Sequence, residues 1–321
     1  MVPITLRFNA SFFAISSPLF VPGDPPHDKG SPPSEPARRN GLSIQDVLKI
    51  PVSKPGERIS YGKDPLQFGE LRLPDGKGPH PVVVLIHGGC WLAEYDVKYF
   101  EPMADTLTTA GLATWTIEYR RVGNDGGGWP GTFMDVGTAT DHLRKLAKRH
   151  NLDMSRVVVA GHSAGGHLAL WVASRHLLRL DSDLYTANPL PILAVVDLGG
   201  PVDLSEFTQG HQQPCDDAVN RLMGGVPKDQ PDHYHDGCAI HSLPLGVRQI
   251  CMAGSNDNIV PPRFLKSYVE ASQKAGDDAK YVELKGANHF DMVAPISAVW
   301  PEVEGAILDA SRLKKAGKSE P

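Results

Sequence analysis

From Ile59 onward the chain alternates two textures, short apolar runs rich in β-branched residues and longer stretches whose apolar positions recur every three to four residues. The first pattern suits strands and the second suits amphipathic helices. Their alternation predicts an α/β fold, a mostly parallel central sheet with helices on both faces. Pro81 to Ile86 is apolar without interruption, as a strand covered on both sides requires. Further strands are expected at Phe68 to Leu73, Leu112 to Tyr119, Arg156 to Ala160, Ile192 to Leu198, Val247 to Met252 and Lys280 to Leu284. Helical spacing covers Val97 to Ala110 (stopped by Gly111), Gly165 to Leu178, Arg263 to Ala275 and Val303 to Leu313. Thr132 to His150 reads as one long helix with Val136, Ala139, Leu143 and Leu146 on one side.

Two stretches break this rhythm. Residues 22–56 are rich in Pro, Gly, Ser and charge, so residues 1–56 are expected to form a flexible arm ahead of a single domain spanning 57–321. Residues 204–245 carry Pro, Gly, His and Asp with no clear strand, and are expected to form a small cap or lid. An insertion at that point of an α/β sheet lies over the C-terminal strand edges, where ligands bind.

Composition narrows the function classes. The 321 residues suffice for a core that needs no metal or disulfide staple, and 41% hydrophobic with 21% charged residues is ordinary globular chemistry. A net charge of -5, with Lys and Arg scattered, lacks the basic footprint of a nucleic-acid binder. No apolar run reaches the roughly 18 residues of a membrane span. Phe8 to Val21 is broken by Asn9, Ser16, Ser17 and Pro18, which makes a poor secretion signal, and the compartment stays open between cytoplasm and export. Oligomeric state stays open too. The four cysteines have no metal-ligand spacing, so no metal and no cofactor are expected. Cys90 and Cys251 read as buried thiols. Cys215 and Cys238 bracket a loop-rich stretch and could pair in an oxidising compartment, the alternative being four free thiols.

The strongest chemical signal is Gly161-His162-Ser163-Ala164-Gly165, followed by Gly166. It lies between the strand Val157-Val158-Val159 and a helix, the context in which a Gly-x-Ser-x-Gly turn exposes a nucleophilic serine. The second signal is His87-Gly88-Gly89-Cys90-Trp91, directly after the apolar strand. Glycines there let backbone N–H groups approach a substrate carbonyl, so Gly89 and Cys90, with Ala164 from the elbow, are expected to form an oxyanion hole.

A serine needs a base oriented by a carboxylate. Among 13 histidines, His289 sits in the loop after the last expected strand and is assigned as the base. His162 and His167 are expected to orient neighbouring structure, His87 belongs to the oxyanion loop, and His211, His233, His235 and His241 fall in the cap. Asp257 follows the preceding strand and is assigned as the acid, which gives the chain order Ser, Asp, His. Asp197 and Asp203 are the runners-up, and Asp291 reads as a loop hydrogen-bonder. Gly88, Trp91, Trp129 and Phe207 are the candidates for the substrate pocket, with core packing the alternative for each of the three aromatic residues.

These residues resemble the α/β-hydrolase superfamily, in its esterase/lipase branch related to hormone-sensitive lipase and kynurenine formamidase. The resemblance spans about Ile59 to Leu313. It rests on the Gly161 to Gly166 elbow, on Gly254-x-x-Asp257-x-x-Val260-Pro261 as an acid loop, and on Gly286 to His289 as a histidine loop. Where hormone-sensitive-lipase relatives carry a third glycine, this chain has Cys90 followed by Trp91, and His-Gly-Gly-x-Trp resembles the kynurenine formamidases. The resemblance implies a serine hydrolase that cleaves esters of small molecules through an acyl-enzyme. Arylformamidase activity is the alternative. A non-catalytic ligand binder like the plant gibberellin receptors is a third reading, disfavoured because those lack the histidine.

Overall fold

The computed structural model describes residues 41–208 and 215–312. Eight strands form one sheet: β1 (Glu57–Ser60), β2 (Phe68–Arg72), β3 (His80–Ile86), β4 (Ala113–Ile117), β5 (Leu152–His162), β6 (Ala194–Leu198), β7 (Arg248–Gly254) and β8 (Ala279–Leu284). Their order across the sheet is β1-β2-β4-β3-β5-β6-β7-β8. β1 and β2 pair antiparallel, as do β2 and β4, and every other pairing is parallel. The expected α/β class and its strands are present. β1, a four-residue edge strand whose residues are mostly exposed, carried no apolar signal of its own.

Ten helices are described: α1 (Ile44–Val47), α2 (Glu101–Thr109), α3 (Gly131–Asp141), α4 (Leu143–His150), α5 (Ala164–Ser174), α6 (Leu204–Phe207), α7 (Asp216–Met223), α8 (Pro231–Gly237), α9 (Arg263–Ala275) and α10 (Trp300–Arg312). The apolar run of β3 works as its pattern implies. Val82, Val84 and Ile86 enter one core layer with α3, α5 and α9, through side chains such as Phe133, Leu168 and Phe264. Val83 and Leu85 enter the opposite layer with α2 and α10, through Met103, Val303 and Ile307. α5 is buried along its whole length because β5, β6 and the 3-10 turn Ala239–Ser242 enclose it. Among the described residues no helix is long and apolar enough to cross a membrane.

Three expectations need adjustment. The helix read over Thr132 to His150 divides at His142. The end of α3 carries Thr138, Thr140 and Asp141, all weak helix formers. The Asp141 carboxylate pairs with the buried Arg175, at 2.6 Å, and accepts from the Leu190 N–H, at 2.7 Å. Residues 41–56 of the expected arm contain α1, with Val47 in the core, while residues 1–40 lie outside the described residues. The stretch 204–245 carries the short helices α6, α7 and α8 and the 3-10 turn Ala239–Ser242, joined by irregular segments; His211 lies outside the described residues.

The cysteine pairing is corrected outright. Cys90, expected as a buried thiol, is disulfide-bonded to Cys215, and Cys238 is a free, buried thiol. The Cα atoms of Cys90 and Cys215 stand 5.3 Å apart, an ordinary disulfide separation. Cys238, at the end of α8, faces the core, where burial pushes its thiol up to about 12. The bond ties the loop after β3 to the start of α7 across 125 residues of chain. Closing a loop of that size is worth about 5 kcal/mol in the chain-entropy account. Cys251 is free and buried, as expected.

Candidate active site

Ser163 sits between β5 and α5 with φ 57° and ψ −126°, a strained conformation for a residue with a side chain. The flanking glycines make the turn possible. A Cβ on Gly161 would stand 2.0 Å from the Gly165 carbonyl oxygen, and one on Gly165 would stand 2.0 Å from the Ile86 carbonyl oxygen. No other residue type fits either position. The Ser163 N–H donates to the Leu198 carbonyl at 3.0 Å, which pins the elbow to β6. Its hydroxyl makes no hydrogen bond among the described residues.

His289 follows β8, and Asp257 follows β7. The imidazole Nδ1–H donates to Asp257 Oδ2 at 2.7 Å. Asp257 Oδ1 accepts from the Ile259 and Val260 N–H groups, both at 2.9 Å. Both carboxylate oxygens are therefore engaged, one by a tight turn of its own loop and one by the histidine. A proton on Nδ1 leaves Nε2 with a lone pair able to take a proton from a hydroxyl. Ser163 and His289 line one cavity of about 90 Å³, so the structure brings all three residues to the C-terminal edge of the sheet. No hydrogen bond joins Ser163 Oγ to the imidazole among the described residues. Such contacts commonly close only around bound substrate.

Gly89 and Cys90 line the same cavity, both at positive φ, 107° and 52°. Neither N–H finds an acceptor among the described residues, nor does the Ala164 N–H, although Ala164 is not itself part of the cavity lining. Gly88 is different: its N–H donates to the Tyr99 hydroxyl. The loop rests on a buried ionic group that sequence reasoning missed. His87 Nε2 and Arg121 Nη1 both reach Glu118 Oε1, at 3.0 Å and 2.6 Å. Glu118 Oε2 accepts from the Val97 N–H at 3.2 Å, and the Tyr119 hydroxyl donates to the His87 carbonyl at 2.7 Å. Burial works against an ionised Glu118, but His87 and Arg121 together outweigh it and hold the carboxyl below its usual range.

The expected pocket residues are corrected. Trp91 is fully buried and packs edge-on against His167, with ring centroids 5.4 Å apart. Phe207 is fully buried against Phe264, and Trp129 stacks on His233 at 4.2 Å. Gly88 is committed to Tyr99 and is not part of the lining. The apolar walls come instead from Ile44, Tyr95, Ile259 and Phe290. Ile259 lies two residues past the assigned acid and Phe290 directly follows the assigned base, a signal that was available. Ile44 and Tyr95 had none.

The runners-up have other work. Asp203 caps α6 through the Ser205 and Glu206 N–H groups. Asp197 is fully buried and takes the Gly200 N–H at 2.7 Å, and burial lifts its carboxyl to about 7. Asp291 accepts from the N–H groups of Leu42 and Asn288. Among the described residues no group of three or more His, Cys, Asp or Glu side chains is placed to hold a metal ion.

Known proteins agree with this frame. A truncated carbohydrate esterase from gut microbiota superposes with a TM-score of 0.69 at 20% identity, covering 82% of this chain and 98% of that one. A thermophilic esterase of Thermogutta terrifontis with bound butyrate gives 0.64 at 21%, covering 79% and 92%. At such identities the likeness speaks to the fold, which is that of an α/β-hydrolase. Esterase LipC of Mycobacterium tuberculosis is 26% identical over 243 residues, 74% of this chain and 60% of its own length. The chain thus spans less than two thirds of that relative. The BD-FAE family model matches residues 70–269, well over half of the sequence. The chain belongs to the BD-FAE family.

Proposed function

We propose that the protein hydrolyses carboxylic esters of small substrates through an acyl-enzyme on Ser163. The observation that carries this reading is the shared cavity of Ser163, a carboxylate-held His289 and two N–H groups without acceptors among the described residues. His289 Nε2 takes the Ser163 proton as Oγ attacks the carbonyl carbon, and the carbonyl oxygen becomes an oxyanion held by the Gly89, Cys90 and Ala164 N–H groups. Each such donor is worth on the order of 3 kcal/mol in the barrier. The imidazolium then gives its proton to the departing alkoxide, which leaves as the alcohol, and the serine stays acylated. Water, deprotonated by the same imidazole, cleaves the acyl-enzyme and releases the acid. Asp257 holds the tautomer and offsets the charge on the ring.

The cavity sets the size of the group it accepts. At about 90 Å³ it is small beside the several hundred Å³ of a typical ligand pocket. Its walls are largely apolar, which suits a short acyl chain. The Thermogutta terrifontis esterase, which shares the fold, has been solved with butyrate bound. Rates on p-nitrophenyl acetate, butyrate and decanoate test the reading. Acetate and butyrate are expected to turn over, with kcat/KM on decanoate lower by at least about tenfold. Equal rates on all three would contradict the acyl-size argument. Faster turnover of N-formylkynurenine than of any ester would move the reading to an arylformamidase.

A further inference from the structure

The mechanism above leaves two buried polar side chains beside the cavity without a role, Tyr99 and His162. Tyr99 lies in the 3-10 turn Val97–Phe100, eleven residues past Gly88, and His162 is the residue before the proposed nucleophile. Both are nearly inaccessible, at 2% and 1% exposure. The Gly88 N–H donates to the Tyr99 hydroxyl oxygen. The same hydroxyl lies 3.2 Å from His162 Nδ1, and His162 Nε2 lies 2.9 Å from the His289 carbonyl oxygen.

The chemistry of the ends orders the whole chain. A carbonyl oxygen only accepts, so His162 Nε2 carries a proton and donates to His289. Burial pushes the His162 ring well below the usual imidazole value, and the nearby His289 adds to that, so the ring is neutral and Nδ1 carries a lone pair. Tyr99 must then donate its O–H to Nδ1, which leaves its oxygen free to accept from Gly88. Every donor has one acceptor, and no member can be reversed without stranding another. The ring of His162 also packs on that of His289, with centroids 4.4 Å apart.

We infer that Tyr99 and His162 are positioning residues, forming a hydrogen-bonded strut that fixes the oxyanion loop and the histidine loop at a set distance across the nucleophile. The inference rests on the ester-hydrolase reading for its kinetic consequence, but the strut itself does not. Because the Gly88 N–H is held by Tyr99, the next two N–H groups, of Gly89 and Cys90, are the ones left for an oxyanion. Because the His289 carbonyl is held by His162, the imidazole cannot swing away with its loop. A strut of this kind acts on the transition state more than on substrate binding, since the oxyanion exists only there.

Two measurements test it. Histidine-selective nitrogen NMR of the wild-type protein at neutral pH should show the His162 ring neutral, with its proton on Nε2. A ring protonated on Nδ1 or on both nitrogens would overturn the strut. Tyr99→Phe, which keeps the ring and removes the hydroxyl, should lower kcat on p-nitrophenyl acetate by tenfold or more with KM within twofold. His162→Gln, which retains a side-chain donor, should keep more activity than His162→Phe. A Tyr99→Phe enzyme with unchanged kcat would overturn the positioning role. Should that variant fail to fold, the wild-type tautomer decides alone. A wild-type protein inactive on every ester would instead defeat the proposed function, leaving the NMR result to judge the strut.

Discussion

Ser163→Ala lowers kcat for ester hydrolysis by on the order of a millionfold, about 8 kcal/mol of barrier, while the protein melts within a degree or two of wild type. The two halves of that expectation come from different observations. The rate falls because the hydroxyl is the proposed nucleophile, and the residual rate is what the oxyanion donors and binding supply alone. Stability holds because Ser163 Oγ makes no hydrogen bond among the described residues, so removing it strands no partner. The backbone strain at φ 57° is the same for alanine as for serine. A variant with retained turnover of p-nitrophenyl butyrate would reject the nucleophile. A variant that lost activity together with its fold would mean that the side chain is structural.

Asp257→Asn is the second large effect, and the hydrogen bonds around the carboxylate say why so small a change matters. Oδ1 is fixed by the Ile259 and Val260 N–H groups, which require an acceptor. An asparagine must turn its carbonyl oxygen to them, and its NH2 group then faces His289 Nδ1, where Oδ2 accepts at 2.7 Å in the native protein. A donor at that point favours the imidazole with its proton on Nε2, the atom that must receive the serine proton. The catalytic base is thereby blocked although no atom has moved far. The expected loss in kcat is about ten-thousandfold. The buried turn keeps both its hydrogen bonds, so thermal stability changes little. A loss smaller than tenfold would mean that another carboxylate orients the base. Asp197, fully buried in the neighbouring strand with one oxygen lacking a partner among the described residues, would then be the group to examine.

Sequence carried the order of the site further than its walls. The elbow was legible because sterics leave it few spellings. Gly161 and Gly165 are forced by carbonyl oxygens 2.0 Å from any added Cβ, so their pattern survives as a local string. Asp257 and His289 were legible because each follows a strand whose apolar run is itself readable, and the fold fixes the order in which such loops reach the nucleophile. Tyr95 and Ile44 were not legible, because each reaches the cavity from an element that carries no chemical pattern. Ile44 arrives on a segment tied down by the Leu42 N–H to Asp291, a contact across 249 residues that no local window contains. The aromatic residues named for the pocket, Trp91, Trp129 and Phe207, failed for the opposite reason. Large apolar side chains close to a motif pack into the core as readily as they line a cavity, and only the direction of the backbone decides. Cys90 and Cys215 illustrate the same limit, since pairing depends on which loops meet above the sheet and not on spacing along the chain.

The most direct test is covalent. The wild-type protein treated with a fluorophosphonate should gain the mass of one phosphonyl group, located by peptide mass spectrometry on Ser163, and Ser163→Ala or His289→Ala should gain none. An intact wild-type protein that stays unmodified, or one modified at another residue, would contradict a serine nucleophile at the end of β5.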